Sequence, residues 1–119
     1  ILLTSSIDLR SEQSVLHLVL SYPGRRLSGI CGLQIRALNH KSTELLNQLD
    51  IISELGPAPK VSANSHGVIS VDFTHASGTY GVWFAIKTKN GRSLKQVIDQ
   101  TDYVGISSPA VLIGTLCRN

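Results

Sequence analysis

Four histidines, eight carboxylates, two cysteines and a single tryptophan are the side chains with which this chain could do chemistry. Acid–base or metal chemistry would fall to His17, His40, His66 and His75. No two of them have the i, i+4 spacing that sets two ligands on one helix face, and no Cys/His grouping has zinc spacing. A site built from His66, His75 and Asp72 would need separate turns to converge. His17 sits among valines and leucines, a pattern that predicts a hydrogen-bonded core histidine. His40 precedes a predicted helix and is expected in solvent.

Nucleophilic chemistry has little support. The chain lacks a Gly-x-Ser-x-Gly elbow. Cys31 falls mid-strand on the inward face, a poor setting for a thiolate of low pKa. The carboxylates are Asp8, Glu12, Glu44, Asp50, Glu54, Asp72, Asp99 and Asp102. Glu44, Asp50 and Glu54 fall on the predicted helix, where a solvated face accounts for them. Walker and Rossmann phosphate loops are absent. The chain therefore leans toward a non-enzyme, and neither cofactor nor metal is expected.

Binding is the remaining chemistry. Trp83, Lys87 and Lys89 alternate along one side of a predicted strand, with Arg92 and Lys95 just beyond its end. An exposed indole stacks on a sugar ring or a base. Neighbouring cations pair with phosphate, sulfate or carboxylate. The competing account places Trp83 against a second layer and makes the lysines guards of an edge strand. Cys31 and Cys117 form a candidate disulfide that would close most of the chain into one loop, worth ~4 kcal/mol in the chain-entropy model. The alternative is two separate buried thiols. A disulfide would favour a secreted or extracellular setting.

Composition bounds what must position these groups. At 119 residues the chain is expected to be one globular domain, residues 1–119. Its 42% hydrophobic and 16% charged content exclude a disordered chain. Apolar runs break well short of the ~18 residues of a membrane span, so a soluble domain is expected. The net charge of +3 is milder than strong nucleic-acid binders carry. Methionine is absent even at position 1, so a processed chain or a piece of a longer one is expected.

Period-2 alternation predicts strands around Leu3–Leu9, Ser14–Tyr22 and Leu27–Leu38. In the second, both faces are largely apolar, which predicts a central strand covered on both sides. Residues ~43–55 carry helical periodicity through Leu45, Leu49 and Ile52, with Ser42 or Thr43 as N-cap and Gly56-Pro57 as the stop. Gly67–Ile98 then reads as a β-meander with turns at Ala76–Gly78 and Asn90-Gly91. Phe73, Tyr80, Phe84 and Ile86 would face its core. Leu94–Ile98 fits either a strand or a short helix, and Ala110–Cys117 closes the chain as a strand.

The fold class is thus mainly β with one α-helix, as an antiparallel β-sandwich. The alternative is an OB-like barrel, which also places its helix between the third and fourth strands. The expected function is a non-enzymatic recognition or assembly domain that binds protein subunits or a glycan, within a homo-oligomer or larger complex. The alternative is a single-stranded nucleic-acid binder. Trp83, Lys87, Lys89 and Arg92 are the expected binding residues in either case.

Overall fold

A long hairpin, wound on itself, organises the chain. In the computed structural model, β1 (Ser6–Asp8) pairs antiparallel with β8 (Val111–Thr115). Next, β2 (Val15–Ser21) pairs with β7 (Gly81–Thr88), and β3 (Gly32–Arg36) with β6 (Val68–Asp72). The described residues are 6–21, 24–27, 32–36, 42–54, 56–64, 67–73, 78–101 and 111–115. Successive rungs of the hairpin alternate between two sheets. The larger has five strands in the order β1-β8-β3-β6-β5, and the smaller has three in the order β2-β7-β4. Here β4 spans Leu49–Ser53 and β5 spans Lys60–Ala63. Such winding of paired strands over two sheets is that of a jelly-roll sandwich. The sheets remain open at their edges, which sets aside the OB-like barrel.

One core lies between the sheets. Leu18, Leu20, Val82, Phe84 and Ile86 of the smaller sheet meet Leu33, Ile35, Ile69 and Val71 of the larger, all buried. The rings of Phe73 and Phe84 join the two layers at a centroid distance of 5.2 Å. Helix α1 (Ser42–Asn47) packs on β4, β5, β6 and α2 (Leu94–Thr101), and α2 also packs on β7. Leu45, Leu94, Val97 and Ile98 carry the core into these helices. Among the described residues, no helix is long and apolar enough to cross a membrane.

Several local expectations are corrected by this architecture. The meander divides: β6 belongs to the larger sheet and β7 to the smaller. Each has an apolar face, and the two faces cover one another, which buries more surface than edge-to-edge pairing would. The predicted helix over 43–55 ends at Asn47, and Leu49–Ser53 is a strand on the edge of β7. Leu45 and Leu49 stay buried either way, but Ile51-Ile52 is β-branched and β7 offers a ladder, so context overrides local periodicity.

The Asn90-Gly91 turn leads into α2, not into a third strand. Gly91 takes φ 75°, and the Asn90 side-chain oxygen accepts from the Arg92 amide at 3.1 Å. Ser93 and Gln96 then form a reciprocal capping box. The Gln96 amide donates to Ser93 Oγ at 3.1 Å, and the Ser93 amide to Gln96 Oε1 at 3.3 Å. Tyr80 lies before β7 and is 63% exposed, so it is not part of the core. Strand β2 edges its sheet and has one covered face, so His17 is exposed and not in the core.

Candidate functional site

The outer face of the smaller sheet follows from the pleat of its central strand. Along β7, Val82, Phe84, Ile86 and Thr88 point to the core, which turns Gly81, Trp83, Ala85 and Lys87 outward. Register sets their neighbours. Val19 lies beside Trp83 on one side, and Glu54 donates its amide to the Trp83 carbonyl at 2.9 Å on the other. His17 and Ile52 flank Ala85, while Val15 and Asp50 flank Lys87.

Trp83 is 48% exposed and Ile52 44%; among the described residues these two and Tyr80 are the large hydrophobic side chains left in solvent. The indole folds back along β7 over Gly81. A Cβ at position 81 would lie 3.3 Å from Trp83 Cη2 and 3.3 Å from Val19 Cγ2. Gly81 is therefore the bed on which the ring lies. Any larger residue there would lift it. Beside the indole, His17 Nδ1 and Glu54 Oε1 are 2.9 Å apart across the central strand. A carboxylate oxygen accepting at this distance requires the tautomer that carries its proton on the imidazole Nδ1. The small Ala85 beneath leaves room for this bridge.

The predicted binding residues are only partly brought together. Trp83 and Lys87 share the outer face. Lys89 falls in the turn after β7, with Nζ 3.9 Å from Asp50 Oδ1. Arg92 belongs to the connection into α2, where Nη1 donates to Gln100 Oε1 at 2.6 Å. Lys95, on α2, sits 3.7 Å from Glu12. Lys89, Arg92 and Lys95 are thus paired locally, and the face around Trp83 carries Asp50 and Glu54 beside Lys87.

Sequence reasoning missed Gly81, His17, Glu54 and Ile52 as members of this face. A glycine two residues before Trp83 on the same side was the available signal. The His17–Glu54 contact had none, because it joins residues 37 positions apart. Asp72 lies on the outer side of the larger sheet, in register with Gly32 and Lys60. His40, His66, His75, Cys31 and Cys117 lie outside the described residues, so the candidate disulfide and the His66–His75–Asp72 site do too. Among the described residues, no three His, Cys, Asp or Glu side chains group as metal ligands.

The exposure of Trp83 is directly measurable, since it is the only tryptophan. Acrylamide is expected to quench the folded protein's fluorescence efficiently, and Gly81→Val to raise that quenching further. Shielded, blue-shifted emission in the folded state would contradict the geometry.

Fold and face together define a jelly-roll sandwich with an aromatic-centred outer sheet face. No protein-family model, curated protein or solved structure matches the chain.

Proposed function

We propose that this chain is a non-enzymatic recognition domain that docks another protein on the outer face of its smaller sheet. The observation that carries this reading is the indole of Trp83, about half exposed yet seated on Gly81 and Val19. A central strand supplies rigid placement, and tryptophan is the residue most enriched among the anchors of protein interfaces. Exposed Ile52 and half-buried Val15 and Val19 extend the apolar surface around it. Charges of both signs near the ring, Asp50 and Glu54 with Lys87 and Lys89, suit a protein surface of mixed charge. They suit a polyanion less, because nucleic-acid affinity rests on uncompensated cations.

A second reading is a glycan, favoured by the hydrogen-bonded His17–Glu54 pair beside an exposed indole. Such a pair offers polar contacts next to a stacking surface.

The test compares the wild-type chain with Trp83→Ala. Proteins retained from an extract of the source cells are identified, and the affinity of each purified partner is measured by calorimetry. Trp83→Ala is expected to weaken binding at least ~30-fold, the loss typical of an interface anchor, with thermal unfolding unchanged. A partner that binds both forms equally removes this face from the function. Signal on a glycan array that disappears in Trp83→Ala would select the second reading. Salt-sensitive affinity for single-stranded oligonucleotides would select the nucleic-acid alternative.

A further inference from the structure

Among the described residues, four strands bound the two sheets, and they are not alike. In the larger sheet, β1 has three residues and includes Asp8, and β5 has four and begins with Lys60. In the smaller, β4 has five and includes Asp50. All three carry a charged residue within the strand, as protected edges do. The fourth is β2, with seven residues, Val-Leu-His-Leu-Val-Leu-Ser. It has no proline, no formal charge and no bulge, since every residue pairs one-to-one with β7. A long, regular, uncharged edge is a template for another strand.

The ladder shows which backbone groups it offers. Thr88 donates its amide to the Ser14 carbonyl at 2.9 Å, so even-numbered residues of β2 turn their N–H and C=O toward β7. Val15, His17, Val19 and Ser21 therefore turn theirs to the open side. Among the described residues, none of these four has a hydrogen bond there.

We infer that β2 is the edge through which two copies of this chain join, antiparallel, about a two-fold axis at Leu18. In that register His17 lies opposite Val19 of the second copy, and Val15 opposite Ser21 of the second copy. All these residues present open backbone groups, so each opposed pair exchanges two N–H···O bonds. Centring the axis on His17 or Val19 would leave part of the strand unpaired. The axis runs perpendicular to the sheet, so Leu16, Leu18 and Leu20 of both copies stay on the core side. Leu18 then meets its own counterpart in a close, non-hydrogen-bonded pair, and Leu16 meets Leu20. The contact is isologous and closes on itself. It consumes both β2 edges and, among the described strands, leaves those that carry charged residues exposed. It uses the open backbone groups of β2, whereas the recognition reading uses side chains on the outer face of the sheet, so it goes beyond that reading.

Sedimentation velocity over a concentration series, with amide hydrogen exchange on the same samples, tests the pairing. The expected mass at high concentration is twice 12.8 kDa. The amides of Val15, His17, Val19 and Ser21 should slow as concentration rises, whereas those of Leu16, Leu18 and Leu20 are already protected by β7. Val19→Pro removes an N–H that no described intramolecular bond uses, and is expected to abolish the dimer. Proline is tolerated at such an edge position. Val19→Lys, which should also abolish it, serves if the proline variant fails to fold. Trp83→Ala should keep the dimer mass, so failure of the edge and failure of the face are separable. A monomer at every concentration, a dimer untouched by the folded Val19 variants, or open-ended fibres would each overturn the pairing.

Discussion

Replacing Phe84 by alanine is expected to cost about 3–5 kcal/mol of stability, the range for deleting a fully buried aromatic. Phe84 has no solvent exposure and lies at the middle of the central strand of the smaller sheet. Its ring sits 5.2 Å from that of Phe73 at an interplanar angle of 46°. The loss combines apolar burial with the cavity left between two sheets that cannot both relax into it. For a domain of this length the melting temperature should fall by roughly 10–20 °C, read by circular dichroism. Because Phe73 comes from the other layer, a double-mutant cycle with Phe73→Ala should show a coupling of about 0.5–1.5 kcal/mol. Strictly additive losses would mean that the rings do not bind the sheets together. A Phe84→Ala loss below about 1 kcal/mol is too small for a core site and would contradict the packing itself.

The second large effect is expected at α2. Val97→Glu should abolish cooperative folding at neutral pH, while Gln96→Glu, one residue away, should leave stability within about 0.5 kcal/mol. Leu94, Val97 and Ile98 are buried to 1% exposure or less, and Gln96 is exposed. A carboxylate at position 97 would be desolvated with no cation prepared for it, a cost of several kcal/mol against a total stability of only ~5–15 kcal/mol. At position 96 the same carboxylate keeps the capping box with Ser93 and meets the positive end of the helix. Urea titration of both variants distinguishes the periods. A strand over Leu94–Ile98 would place residue 96 inward with 94 and 98, and the two outcomes would exchange.

That contrast marks the boundary of what was legible before folding. Leu94, Val97 and Ile98 satisfy either period, and the Ser93–Gln96 cap, a four-residue pattern present in the sequence, was the signal that could have decided between them. Over Leu45–Ile52 the opposite happened. Helical spacing was genuine, but Leu49 onward found a ladder on β7. A six-residue helix gains little by lengthening when a neighbouring strand offers its backbone groups and a place for two isoleucines. Mainly-β composition, a helix beginning near Ser42 and the sandwich class were readable because they rest on many residues at once.

The outer face of the smaller sheet divides in the same way. That Trp83 and Lys87 share one side of a strand, opposite Phe84 and Ile86, was decided by the alternation of the backbone pleat. It holds whatever the strand pairs with. The same is true of Leu18 and Leu20 against His17 and Val19, and of Leu33 and Ile35 against Gln34 and Arg36. Which strands become neighbours is a property of the whole chain, because it depends on closing long loops and burying every apolar face together. Tertiary structure alone therefore put β6 and β7 in separate sheets and carried Glu54 across to His17. It also left β2 at an edge and the outer side of Trp83 uncovered.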